Sequence, residues 1–371
     1  MLSSHALTDR NWIASGMVER LRKRGHDVAV LIADRPRFRR LRRSLRLMTL
    51  VAREPQSQTM RHKATLRHGA ARVEAALWRR LARRLDLEAL AGRFEVRLPV
   101  APFVTEALAA TRPDLLLWPT MIHLDALEND WVKAATAMGC PVLGAPASWD
   151  TLVSKGALLV RPDRLIVWGE ASKRHAVEQH GFASEAVSAP GPPHFVPYED
   201  GIVQRGETVL VAGTSLHYWR DEDEMVATLR RRFVGLEIAH RLHPRRSGSW
   251  DWNIWAVRRA LEPAACVVAA FSTVIVEAAL LGRTSLLVGF GGNTEHGHAL
   301  EHAKYAHMAE IADWRDIILC RDMDDLVHQI KGVVYYLTKI DPERLRDDAM
   351  QIAYCVPGLQ ERIALAIEAA R

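Results

Sequence analysis

Cysteine is scarce, with four in 371 residues: Cys140, Cys266, Cys320 and Cys355 stand far apart and form no C-x-x-C pair. This excludes a disulfide scaffold and a zinc ribbon, and it fits a reducing compartment. No apolar run reaches the ~18–20 residues that span a bilayer, and Met1-Leu2-Ser3-Ser4-His5 lacks the basic-then-apolar order of a secretory signal. The expectation is a soluble, cytoplasmic chain. The phosphate loop G-x-x-x-x-G-K-[ST] is missing, as are a G-x-G-x-x-G after a strand, H-E-x-x-H and G-x-S-x-G. The usual signatures of ATPases, dinucleotide oxidoreductases, zinc proteases and serine hydrolases are therefore absent.

What is present is a globular composition, 49% hydrophobic and 25% charged, long enough for two domains. The net charge of +6 permits an anionic partner. Much of the positive charge is concentrated between Arg35 and Arg84, where Arg39, Arg40, Arg42, Arg43 and Arg46 follow in close succession and acids are almost absent. Leu41, Leu45 and Met48, then Leu77, Leu81 and Leu85, recur at helical spacing, which predicts basic amphipathic helices. Residues 35–85 then read either as a solvated face or as a surface for anionic lipid at the inner membrane face. Nucleic acid is disfavoured, because only Phe38 and Trp78 are there to stack on bases.

Elsewhere short apolar strands alternate with amphipathic helices, the pattern of doubly wound α/β domains. The chain opens on what reads as a strand-to-helix loop, so the first strand is expected to be reduced or missing; Val28–Ile32 is expected as the next. A second series starts at strand Arg164–Trp168 and continues through Val209–Ala212, Glu237–Leu242, Cys266–Ala269 and Ser285–Val288. The expected organisation is an N-terminal Rossmann-like domain over 1–160, with the Arg-rich insert, and a second over 161–340. A helical segment, 341–371, closes the chain. The two domains would face a cleft, with chemistry at the carboxyl ends of the strands.

Three stretches sit at such strand ends. Gly213, Thr214 and Ser215 are small enough for backbone amides and hydroxyls to approach a phosphate. Arg241-Leu242-His243-Pro244-Arg245-Arg246 places an imidazole among guanidiniums, although a His-Pro pair is often only a turn. Ser272 and Thr273 suit a helix N-cap or an anion there, and Glu277, one turn on, lies within reach of a ribose hydroxyl. A fourth stretch, Gly291–His298, carries Asn293, Glu295 and His296. His298 and His302 have the spacing of metal ligands, but a donor-contacting loop is the favoured reading and no metal site is assigned.

Taken together, Arg241-Leu242-His243-Pro244 and Ser272-Thr273 with Glu277 resemble the His-Pro and Ser/Thr motifs of GT-B glycosyltransferases, in particular bacterial surface-glycan and glycolipid transferases. The middle of the chain, Ser148-Trp149-Asp150, Lys155-Gly156, Pro162-Asp163-Arg164 and Gly191-Pro192-Pro193-His194-Phe195, is similar to bacterial GT-B proteins whose activities are largely uncharacterised. The resemblance implies a nucleotide-sugar donor, pyrimidine favoured, held by the second domain, with no other cofactor. Retaining members often carry an acid eight positions before the equivalent of Glu277; Ala269 stands there, which leans towards inversion.

Metal-independent transfer to an acceptor hydroxyl needs a base and donors for the leaving phosphate. Asp150 is the first candidate base and His5 the second. Arg10, Lys155 and Arg241 would offset phosphate charge, and His243 would donate to it. Two other readings stay open: a UDP-sugar 2-epimerase-like enzyme, and a non-catalytic module that binds membrane or nucleic acid through the Arg-rich segment.

Overall fold

The computed structural model describes residues 1–3, 6–32, 38–53, 80–81, 84–122, 128–214, 221–243, 246, 252–270, 272–291, 306–335 and 339–371. The chain opens on a two-residue strand, β1 (Leu2–Ser3), paired in parallel with β2 (Leu31–Ile32). The first strand is thus present in reduced form, and the strand expected over Val28–Ile32 is confined to its last two residues. Burial secures so short an element: Leu2 is fully enclosed in the same core as Leu116 and Trp118. Between β1 and β2 a turn of helix, Ala6–Thr8, runs on as a π-helical turn, Asp9–Ala14, before α1 (Met17–Lys23).

After β2 come α2 (Arg39–Arg53), α3 (Leu87–Arg97) and α4 (Pro102–Thr111). Four strands and two helices follow: β3 (Leu116–Trp118), α5 (Asn129–Ala137), β4 (Val142–Gly144), β5 (Arg164–Ile166), α6 (Glu170–His180) and β6 (Val187–Ser188). Strands β3-β4-β5-β6 form a parallel sheet in that order. Val104, Leu108, Trp131 and Val132 from the flanking helices share its core.

The Arg-rich helix packs differently from its apolar pattern. Leu45 and Met48 are buried as expected, but Leu41 is exposed, and Arg42 and Arg46 take inward positions with no exposed surface. The reason is the partner they meet. Arg42 bonds Glu95 of α3 (Nε–Oε1 2.9 Å) and Asp130 of α5, while Arg46 donates to the carbonyl of Ala157. Lys133 completes the group, 3.5 Å from Glu95 and 3.4 Å from Asp130. Two of the arginines read as a solvated or membrane-facing surface are therefore interior.

The second sheet is built from β7 (Thr208–Ala212), α7 (Glu222–Arg232), β8 (Ile238–Arg241), α8 (Ala256–Leu261), β9 (Ala264–Ala269), α9 (Val274–Leu280), β10 (Ser285–Val288), α10 (Ala306–Ala312), β11 (Ile318–Cys320), α11 (Met323–Tyr335) and α12 (Pro342–Ile352). All of its pairings are parallel, in the order β11-β10-β9-β7-β8. The order reverses between β7 and β9, so this is where successive connections leave for opposite faces and a crevice opens. Central strands such as Ala264–Ala269 are buried throughout, as a parallel sheet covered on both faces requires.

The chain divides into two compact units: the described residues up to His194 together with Gly358–Arg371, and Phe195–Pro357. The boundary expected at 160/161 therefore moves to 194/195, because β5 and β6 hydrogen-bond onto β4 and complete the first sheet. The segment expected as one helical tail, 341–371, is also divided. Its first helix, α12, belongs to the second unit, and α13 (Leu359–Glu368) returns to the first.

Ion pairs fasten α13 to the first unit. Arg20 reaches Glu361 at 2.6 Å, Arg24 reaches Glu368 at 2.7 Å, and His26 Nε2 lies 2.8 Å from Glu368. The hydrogen bonds from Arg24, and then from His26, hold the Glu368 carboxyl down to about 2, against a usual 4.5. A depressed carboxylate stabilises the fold above its ordinary pKa, and that contribution is lost as pH falls through the folded value. Hydrogen exchange should therefore show α13 loosening between about pH 4.5 and 2. Glu368→Gln should remove that acid-dependent step, and an unchanged profile in the variant would assign it to other groups.

Candidate functional site

Strand register brings three of the sequence stretches to neighbouring points on one sheet edge. Ala212, the last residue of β7, is the register partner of Ala269 on β9 and of Arg241 on β8. The chain beyond these residues is Gly213-Thr214, Ala270 to Thr273, and Leu242-His243. These three exits flank the reversal of strand order, the position where open α/β sheets take ligands.

The β7 turn is held from inside. Gly213 donates its N–H to Arg241 O at 2.9 Å, and Thr214 donates its N–H to Glu222 Oε2 at 2.7 Å. These two amides, expected to approach a phosphate, are therefore already engaged within the protein. Glycine is required at 213 by close approach, since a Cβ there would lie 2.6 Å from Glu222 Oε1 and 3.0 Å from Arg241 O.

Glu222 was not among the expected residues. It is fully buried in the first turn of α7 and also accepts from Arg246 Nη1 at 2.5 Å, with His240 Nε2 at 2.8 Å from the same oxygen. Arg246 extends its other nitrogen to Asp223 at 2.7 Å, and this bond holds the Asp223 carboxyl below its usual value. Its backbone N–H closes a turn onto His243 O at 2.8 Å. One carboxylate thus ties the β7 turn to the His243 turn. The available signal was positional: Glu222 shares the inward stripe of Met225, Val226 and Leu229 at helical spacing.

Glu222, Asp223 and His240 also form the one cluster with metal-ligand spacing among the described residues. The Arg246 guanidinium pairs with both carboxylates, so a side chain already supplies the positive charge.

On the β9 side, Thr273 stands at the N-cap position of α9 but makes no side-chain cap bond, and it and Ser272 are half-buried. Glu277 is buried as its apolar surroundings require. Its Oε2 accepts the hydroxyl of Tyr198, which is itself buried at the end of the 3-10 helix Pro193–Tyr198. The carboxylate expected to meet a ribose hydroxyl therefore already holds a phenol. Nothing local in the sequence pointed to a partner 79 residues away.

In the first unit the corresponding edge carries polar groups of its own. The hydroxyls of Thr8 and Thr120 lie 2.6 Å apart, and Asn11, on the π-helical turn with Arg10, donates to Ala147 O at 3.2 Å. Asp150 does not stand alone as a base: Ser154 Oγ donates to it at 2.6 Å and Lys155 Nζ pairs with it at 2.8 Å. Lys155, expected on phosphate, is thereby committed to a neighbour. His194 belongs to the Gly191–Phe195 stretch. It is buried edge-on against Trp168, with ring centres 5.1 Å apart. Burial, and then the charge of Arg10, hold it well below its usual pKa, so its imidazole is neutral near pH 7.

His5, Ser215, Asn293, Glu295 and His296 lie outside the described residues. The cysteines are free thiols, and burial pushes Cys266 and Cys320 up to about 12, which makes neither a nucleophile.

No protein family's profile matches the sequence, and no curated protein matches it significantly. Solved structures do match. Staphylococcus aureus MnaA in complex with UDP aligns with 99% of this chain and 94% of its own, at 11% identity and a TM-score of 0.52. The UDP-GlcNAc 2-epimerase of Neisseria meningitidis bound to UDP-GlcNAc aligns with 100% of this chain and 99% of its own, at 11% identity and a TM-score of 0.53. The fold is GT-B. Its two Rossmann-like domains are those expected from the strand-helix alternation, at an identity that speaks to fold alone.

Proposed function

We propose that the protein is a GT-B nucleotide-sugar enzyme that binds the diphosphate and ribose of its donor at the β7/β9 strand ends and moves the sugar to an acceptor hydroxyl. The supporting observation is the meeting of Gly213-Thr214, Arg241-His243 and Ser272–Glu277 at the reversal of strand order in the second sheet. In this reading His243 and Arg241 donate to the departing phosphate, and the hydroxyls of Ser272 and Thr273 add donors. Glu277 meets the ribose after exchanging or sharing its bond to Tyr198. The acceptor oxygen forms its bond to the anomeric carbon as the bond to phosphate breaks. Asp150, steadied by Lys155 and Ser154, takes the acceptor's proton, with His5 as the competing base. A single displacement inverts the anomeric carbon, and in this reading Arg241 and His243 meet the leaving charge in place of a metal.

A second reading is epimerisation at C2 of a UDP-sugar, which needs no acceptor. The similarity over the whole chain to a UDP-GlcNAc 2-epimerase favours it. Incubation with UDP-GlcNAc alone separates the two: an epimerised donor supports the second, and slow hydrolysis only is expected of a transferase.

The test of both is a thermal-shift series with UDP, CDP, CMP, GDP and dTDP on the wild type and on His243→Ala. A ligand of ~10 μM affinity at ~1 mM stabilises the fold by ~2.7 kcal/mol, a readable shift. One pyrimidine nucleotide should shift the wild type, and His243→Ala should lose most of that shift. No shift with any nucleotide would sink the nucleotide-sugar reading in both forms.

A further inference from the structure

Tyr198 is gripped by three helices of the second unit, α8, α9 and α12. It meets α9 at two points one turn apart. At the first, its hydroxyl donates to Glu277 Oε2. At the second, Arg346 of α12 donates through Nη1 to both Tyr198 O, at 3.4 Å, and Leu280 O, at 2.7 Å, while its Nη2 holds Cys355 O at 2.9 Å. Arg258 of α8 donates to the preceding carbonyl, Pro197 O, and the Tyr198 ring packs on Phe195 with ring centres 5.2 Å apart. Gly201 makes room for this clamp: it stands at φ +83°, and a Cβ there would lie 3.1 Å from Arg346 Cζ. The phenol approaches Glu277 from the interior. Tyr198 is 1% exposed and Ile275, Val276, Ala278, Ala279 and Leu280 have no exposed surface, whereas Glu277 keeps 7%. Its carboxylate therefore stands between a buried donor and the surface, one helical turn on from Thr273.

We infer that Tyr198 is the positioning residue for Glu277, and that the carboxylate it orients makes the site select a ribonucleotide over its 2′-deoxy counterpart. The inference rests on the nucleotide-sugar reading above. The terminal torsion of a glutamate is broad and two-fold, so an unheld carboxylate samples many orientations. A phenol on Oε2 fixes that torsion and uses one of the roughly four acceptor positions a carboxylate offers. Tyr198 is itself immobilised through its ring and its backbone, so the orientation it imposes is set by α8, α9 and α12 together. The group is then presented to the ribose as a fixed acceptor. It suits the O–H donors of a vicinal diol, and a 2′-deoxy sugar has one donor fewer to offer it. Hydrogen bonds to charged groups are the strong ones, and a site built around a hydroxyl rejects the analogue that lacks it.

The experiment is isothermal titration of the full chain with UDP against dUDP, and with CDP against dCDP. The wild type should bind the ribonucleotide at least about tenfold more tightly than its 2′-deoxy form. Tyr198→Phe keeps the ring against Phe195 and should bring that ratio to within about threefold, by weakening the ribonucleotide and leaving the deoxynucleotide as it was. Glu277→Gln retains an oxygen for the Tyr198 hydroxyl, and with it the fold, but presents N–H donors in place of an acceptor, so it should lower the ratio too. Adding Tyr198→Phe to Glu277→Gln should change the ratio no further, because the hydroxyl acts through the carboxylate. Equal affinity of the wild type for both sugars overturns the inference and leaves the nucleotide-sugar reading standing. So does a Tyr198→Phe variant that weakens both forms in the same proportion, the mark of a purely structural role. Binding of none of the four nucleotides overturns that reading and this inference with it.

Discussion

Arg42→Met should destabilise the first unit by about 3–5 kcal/mol, the range for breaking a buried ion pair on one side. The substitution leaves Glu95 and Asp130, both interior, with Lys133 as their remaining cation at 3.4–3.5 Å. At ~2–4 °C per kcal/mol for a unit of this size, calorimetry should show the first-unit transition falling by about ten degrees while the second-unit transition stays. Adding Glu95→Leu leaves Asp130 paired with Lys133 and replaces the orphaned carboxylate with packing, so the double variant should recover at least half of the loss. A single variant within about 1 kcal/mol of wild type would mean that the buried pair contributes nothing beyond filling space.

Glu222→Ala should have an effect of the same order on the second unit, about 3–5 kcal/mol, because the Thr214 N–H, His240 and Arg246 lose a buried acceptor together. The local consequence is more specific than the melting temperature. Amide exchange at Thr214 should rise sharply in Glu222→Ala. It should also rise, to a smaller degree, in Arg246→Ala, which shares the Glu222 carboxylate with Thr214. A steric relation follows as well: Gly213→Ala drives its Cβ towards Glu222 Oε1, so it should cost less in the Glu222→Ala background than in the wild type. Additive costs would show that the turn is held by something other than this carboxylate.

The parts of the fold that could be read in advance were those carried by pattern. Strands such as Val209–Ala212 and Cys266–Ala269 are continuous apolar runs between polar turns, and such runs announce buried parallel strands whatever their partners. The sheet to which a strand belongs has no such mark. Arg164–Ile166 begins after Pro162-Asp163 like the start of a new series, and only its pairing with β4 assigns it to the first unit. Strands of two residues, β1, β2 and β6, are too short to show alternation.

At the candidate site and in the first unit alike, polarity misled where charge was buried. Arg42, Arg46 and Glu222 occupy positions that geometry turns inward, yet an ionic side chain reads as solvent-facing until its counter-charge is known. Those counter-charges come from distant segments: Glu95 and Asp130 for Arg42, and Arg246 for Glu222. Glu277 was the exception. It reads as a ribose contact in an apolar segment, Val274–Leu281, and its burial on the phenolic partner Tyr198 was not foreseeable from sequence.

The return of α13 to the first unit bears on how the protein is made. A ribosome delivers the chain from its amino end at about 5–20 residues per second, so on the order of ten to thirty seconds separate His194 from Glu368. Through that interval the nascent first unit has every strand of its sheet but lacks the helix that Arg20, Arg24 and His26 grip. The second unit, continuous from Phe195 to Pro357, is released whole before the first is finished. The half synthesised first is therefore the half completed last, and a fragment that stops at the interdomain boundary carries Arg20, Arg24 and His26 waiting for a partner that is never translated.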